Sequence, residues 1–199
     1  MNFLDTSDAY RKLDSFTLAR IIELGTHHFC HRFLDLTDDA SISTYDRMNQ
    51  AARSVRTGII KGSVLAATSP EAELEYTVQA QRSMWELHGE YEEWLMMKQQ
   101  VPWAAQSDEA RAVRAVRLDP VSEREASNAH DSGKYLLRQK ARFDQWIESD
   151  DDLVAANALL ILCQRATRVL ERQIEAQEDR LLEAEEKGFS LNYAAPLLD

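Results

Sequence analysis

Glycine and proline are scarce, six and four in 199 residues. That is about one residue in twenty, against roughly 12% in average usage. A strand-rich sandwich needs turn residues every ~8–12 positions, so that class is excluded, as are collagen-like and Pro/Gly-rich disordered chains. Cysteine is nearly missing. The two present, Cys30 and Cys163, are unclustered and sit in apolar stretches, so they read as reduced core thiols and not as a disulfide framework. No apolar run approaches the ~20 residues of a membrane span. The longest, near 153–163, is interrupted by Asn157. The polar start MNFLDTSDAYRKLDSF resembles neither a secretory signal nor a transit peptide. Together these absences predict a helical, cytoplasmic protein with no membrane partner.

Basic charge is also in deficit. Lys+Arg 23 against Asp+Glu 34 gives a net charge of −11, which argues against generic attraction to nucleic acid or anionic lipid. The deficit is uneven. Segments 1–43, 68–110 and 144–199 carry −3, −7 and −8, whereas 44–67 and 111–143 carry +3 and +4. Two locally basic segments are therefore hidden in an acidic chain.

What remains is helical periodicity. The spacing predicts a first helix from about Ser15 to Leu36, with Leu18, Ile21, Ile22, Gly25, Phe29, Phe33 and Leu36 on one stripe. The small polar run TDDASIST then breaks the pattern. A second helix spans about Thr44–Ala67, with Met48, Ala51, Ala52, Val55, Ile59 and Gly62 on one face. Gly58 and Gly62 suit close packing of a neighbour. A third starts at Ser69-Pro70, an N-cap followed by proline at the first helical position. It reaches about Gln100, with Leu74, Val78, Gln81, Trp85, His88 and Trp94/Leu95 along a seam. Residues 101–150 are less regular. They suggest a short helix over Asp108–Leu118 and another over Val121–Ile147. A last helix follows the acidic run Asp150–Asp152 and continues to about Lys187, with Gly188 as its stop. The expected organisation is an N-terminal extension at 1–14, a four-helix bundle over 15–187 with an insertion at about 101–150, and a tail at 188–199.

The stretch YDRMNQAARSVRTGIIKGS, followed by the A-x-x-S-x-x-E-L pattern of Ala80, Ser83, Glu86 and Leu87, resembles the four-helix-bundle family encoded in the intervening sequences of 23S ribosomal RNA genes. The accessory proteins of diversity-generating retroelements belong to the same family. FCHRFLD and ANALLILCQRATRVLERQI resemble its longer, four-helix-bundle suffix branch. The resemblance implies an up-and-down four-helix bundle, and with the periodicity above the expected fold is all-α, that bundle with a helical insertion before the last long helix. It further implies a homo-oligomer, with a pentamer favoured, and no catalytic residues or cofactor. In the retroelement branch the partners are RNA and a reverse transcriptase. Gly58 and Lys61 stand where the family pattern has Asn and Glu.

Candidate sites follow from charge and spacing. Arg47, Arg53, Arg56 and Lys61 on the second helix, with Arg111, Arg114 and Arg117 at every third position of the insertion, are candidate phosphate contacts. The alternative is ion pairing with neighbouring acidic helices. Glu23, His27, His31 and Asp35 repeat at every fourth residue, and two histidines so spaced can chelate a divalent metal; an ordinary solvated face is the more common cause of such a stripe. His88 is read as a hydrogen-bonded core or interface histidine. The Glu-x-x-His of di-iron bundles, H-E-x-x-H, C-x-x-C and nucleotide-binding glycine loops are all absent. Three functions remain: a non-enzymatic oligomeric accessory protein acting with RNA or a reverse-transcriptase complex, an acidic scaffold for a basic protein partner, or, resting only on the His27/His31 stripe, a metal-binding or catalytic bundle.

Overall fold

The computed structural model describes residues 8–193. They are all helical: a 3₁₀ turn, Ala9–Lys12, precedes eight α-helices, with no strand among the described residues. Four helices are long: α1 (Asp14–Phe33), α2 (Asp39–Leu65), α3 (Pro70–Met97) and α8 (Asp152–Tyr193). Four short ones lie between α3 and α8: α4 (Asp108–Ala115), α5 (Glu123–Ser127), α6 (Ala129–Ala141) and α7 (Asp144–Ile147).

Side-chain caps explain where most helices begin, because the first-turn N–H groups have no carbonyl partner within the helix. Ser69 accepts from the Ala72 amide at 3.3 Å, with Pro70 behind it. Asp151 accepts from Leu153 at 2.9 Å. Asp38 accepts from Ser41 at 2.9 Å, which draws the small polar run into α2. That helix therefore starts before the expected Thr44. The expected Val121–Ile147 helix is instead three pieces. Ser122 and Glu125 form a capping box at α5, and Asn128, in extended conformation, caps α6 through the Asp131 amide at 2.8 Å. α4 stops at Ala115 and not Leu118, because Val116 turns extended. Gly188 does not stop α8, which runs on to Tyr193; a helical glycine costs only about 1 kcal/mol. Residues 1–7 of the expected extension and 194–199 of the expected tail lie outside the described residues.

The long helices pack in a closed circuit: α1 and α3 each touch both α2 and α8. Cross-helix partners fix the directions. Cys30 meets Met48 and Glu23 meets Arg56 between α1 and α2. Glu90 meets Arg47 between α3 and α2, Glu73 meets Gln177 between α3 and α8, and Ser15 meets Gln173 between α1 and α8. With the further contacts Gly62–Glu73, His88–Gln164 and Gly25–Leu159, numbering rises on one helix as it falls on the other in each pair, so neighbours are antiparallel.

α2 and α3 approach closely where Gly58 and Gly62 lie. A Cβ at Gly58 would sit 2.9 Å from the Tyr76 carbonyl oxygen, and one at Gly62 3.0 Å from that of Glu73. This contact shifts the register of α3 from the expected seam. The buried face keeps the expected His88, Trp94 and Leu95 but adds Thr77, Ala80, Met84, Leu87 and Tyr91, whereas Trp85 is 52% exposed. Small side chains face the glycines and the indole is turned out. Phe29 is at the centre of the core, edge-on to Tyr91 at 5.3 Å and Trp94 at 5.2 Å. The fully buried Tyr91 hydroxyl donates to Thr26 at 2.8 Å. Cys30 and Cys163 are buried free thiols, and burial pushes the Cys30 thiol up to about 12.

α8 is apolar over a longer stretch than the sequence run suggested. By length and composition its Asp152–Ala184 portion would suffice to cross a membrane, yet 67% of its most apolar window is buried inside the protein, as in a core helix. Asn157, which interrupts the run, is itself buried. It accepts from the Trp103 amide at 2.7 Å and donates to the Leu153 carbonyl. It thereby straps the segment between α3 and α4 onto α8.

Candidate functional site

Two of the four basic residues of α2, Arg47 and Arg56, are neutralised by carboxylates, whereas Arg53 and Lys61 are exposed with no acidic partner among the described residues. Arg47 grips Glu90 of α3 through two nitrogens at 2.7 and 3.0 Å. Hydrogen bonding to Glu90 raises the Arg47 pKa above its ordinary value. Arg56 is half-buried against Glu23 of α1 at 2.9 Å, and Glu23 also pairs with Arg20. Lys61 lies over the Tyr76 ring at 5.4 Å. The structure thus disperses Arg47, Arg56 and Lys61 into contacts with α1 and α3.

The histidine stripe is also committed locally. Glu23 serves the two arginines. Asp35 accepts from the Thr37 amide and hydroxyl at 3.0 and 2.7 Å, and these bonds hold its carboxyl below the usual range. His27 and His31 stack edge to face at 4.4 Å, and the Tyr45 hydroxyl lies 3.2 Å from His31 Nε2. Among the described residues, no group of three or more His, Cys, Asp or Glu side chains is placed to hold a metal ion. His88 is buried between α3 and α8, 3.3 Å from Gln164 Nε2 and 3.6 Å from Glu92.

Positive charge collects elsewhere. A cleft of about 330 Å³ lies between α8 and the end of α4 with the extended residues 116–118, with Asp14 and Leu18 of α1 also in its wall. Five arginines line it: Arg114 and Arg117 on one side, and Arg165, Arg168 and Arg172 from α8. Asp14 is the one carboxylate in the lining. Spacing explains the α8 set. Positions i, i+3 and i+7 fall within about 60° on a helix of 3.6 residues per turn.

The cleft is built and not incidental. Half-buried Arg165 donates to the Val116 carbonyl, fastening the extended segment to α8. Arg142 donates to the Arg117 carbonyl at 2.6 Å, and Arg114 to that of Ala105. Burial lowers the Arg165 pKa below its ordinary value; Asp14 opposes that shift and Arg117 adds to it. It stays a cation at neutral pH. Arg117, Arg168 and Arg172 have no acidic partner among the described residues. Of the predicted insertion set, then, Arg114 and Arg117 reach this cleft. Arg111 does not: it pairs with Asp108 at 2.5 Å and is absent from the lining.

No protein family, curated protein or solved structure matches this chain.

Proposed function

We propose that this protein is a non-enzymatic accessory protein, an up-and-down four-helix bundle formed by α1, α2, α3 and α8, that holds RNA through the arginine-lined cleft. The observation that carries the reading is a cleft lined by five arginines and one carboxylate in an otherwise acidic chain. Guanidinium groups bind phosphate oxygens through paired N–H donors and do not give up their protons near neutral pH. Such a lining suits holding a strand and not acid–base chemistry. The antiparallel circuit and the glycine contacts of α2 support the bundle, and the helical insertion supplies the second wall of the cleft. A cytoplasmic homo-oligomer, with a pentamer favoured, and a reverse-transcriptase complex as the setting complete the proposal, on the strength of the family resemblance. Light scattering tests the assembly, and a monomer would remove the pentamer from it.

The test of RNA binding is a gel shift at low salt with the intact chain. Arg168→Glu/Arg172→Glu abolishes the shift, whereas Arg53→Glu, outside the cleft, weakens it less. Absence of any shift with the intact chain overturns the proposal.

A second reading has its own observation. Beyond Gln173, α8 carries Glu175, Glu178, Asp179 and Glu186 exposed, a surface complementary to a basic protein. Co-purification with such a protein after nuclease treatment, together with no RNA binding, favours this acidic scaffold.

A further inference from the structure

The lining of the cleft contains no aromatic residue and no Asn, and its polar groups other than the arginines are Asp14 and Gln164. Base-stacking platforms are aromatic and so are missing, and one amide, Gln164, and one carboxylate, Asp14, stand among five arginines. Here the cationic side chains dominate. The α8 arginines span seven residues, about 10 Å along the helix at 1.5 Å per residue. Over that length the run can meet roughly three phosphates of a strand. The second wall adds Arg114 and Arg117, so each phosphate entering the cleft meets cations from both sides.

Size decides the form of the nucleic acid. The cleft is an open concavity of about 330 Å³. A few phosphodiester groups fit. A duplex cannot insert one strand there, because its two backbones are held on the outside of a stiff rod and its bases are paired within. A single strand can bend its backbone into the concavity with its bases turned outward.

Resting on the RNA-binding reading above, we infer that the cleft between α4 and α8 takes single-stranded RNA in preference to duplex, gripping about three consecutive phosphates without reading the bases. The unpaired Arg117, Arg168 and Arg172 make the phosphate contacts, and Arg165, tied to the Val116 carbonyl, keeps the two walls apart at a fixed width.

Fluorescence anisotropy on the full chain tests this, with end-labelled uridine and adenosine strands of about ten nucleotides and the duplex they form together. The two strands bind within about 3-fold of each other, and the duplex binds at least about 10-fold more weakly. Arg168→Glu/Arg172→Glu, both exposed and unpaired, weakens single-strand binding at least about 10-fold. Arg111→Glu, outside the cleft, leaves it within about 2-fold. Equal affinity for strand and duplex, with both lost in the Arg168→Glu/Arg172→Glu variant, overturns the single-strand preference while leaving RNA binding by the cleft standing. A difference of more than about 10-fold between the two strands overturns phosphate-only recognition. Failure of every RNA to bind overturns both.

Discussion

Gly58→Ala and Gly89→Ala make the same chemical change inside helices, and the structure gives them opposite signs. In a helix interior, alanine is favoured over glycine by about 1 kcal/mol. At Gly89 a new Cβ meets nothing within 4 Å, so the protein gains that full amount. At Gly58 the new Cβ lies 2.9 Å from the Tyr76 carbonyl oxygen and 3.0 Å from the Ala80 Cβ. That oxygen belongs to the backbone of α3, so relief requires moving the helix itself. Overpacking of this kind costs about 1–3 kcal/mol, which offsets the propensity gain and leaves Gly58→Ala destabilised by up to about 2 kcal/mol. For a domain of this size each kcal/mol shifts Tm by about 2–4 °C. Paired urea denaturation of the two variants reads the difference directly. If Gly58→Ala is as stabilising as Gly89→Ala, α2 and α3 do not approach there and the packing argument fails. Gly25 is a milder case: its Cβ would meet Leu159 Cδ2 at 2.7 Å, the end of a side chain that can rotate away.

Three further outcomes follow from local geometry. Gln99 has φ 56° at the end of α3, where its amide bonds to Met96 and that of Gln100 to Leu95, both at 2.9 Å. Gln99→Gly removes the strain of a left-handed residue and raises stability by about 1 kcal/mol in a thermal melt; an unchanged Tm contradicts the geometry. Asn157→Ala leaves the half-buried strap amide of Trp103 without its acceptor and costs about 1 kcal/mol, read as faster hydrogen exchange at Trp103; unchanged protection contradicts the strap. Hydrogen bonds from Arg138 and Ser122 hold Glu125 down to about 2, and Gln139 and Asn128 pull Asp119 and Asp131 below their usual range. Folded pKa values below unfolded ones stabilise the structure above about pH 4.5 and lose that contribution as pH falls toward 2. Proteolysis across that window therefore opens α5 and α6 before the long helices, and simultaneous loss contradicts the assignment.

The four long helices were legible because each has a 3.6-residue stripe, and α3 and α8 also have strong starts at Ser69-Pro70 and Asp150–Asp152. Of the insertion, α4 was legible from its start at Asp108, whereas the stretch after Pro120 was not. Its pieces are set by capping residues, Ser122 and Asn128, that look like ordinary surface polar residues in sequence. The α3 seam was partly misplaced because apolar size drew attention to Trp85, whereas the close contact at Gly58 selects small residues. The α2 basic set was visible, but its partners Glu90 and Glu23 were 43 and 33 positions away. The cleft was half legible. Arg114 and Arg117 stood out in a basic segment, whereas Arg165, Arg168 and Arg172 were averaged into a stretch of −8 by the acids toward the end of α8. Their i, i+3, i+7 spacing was the available signal.

The most direct test of RNA binding by the cleft is the salt dependence of the binding constant for a short single strand. Releasing the counterions of about three phosphates gives a slope of log K against log salt near −2, at about −0.7 per phosphate. In Arg168→Glu/Arg172→Glu the binding that produces this slope is lost. A slope near zero for the intact protein, or the same slope and affinity in the variant, contradicts it.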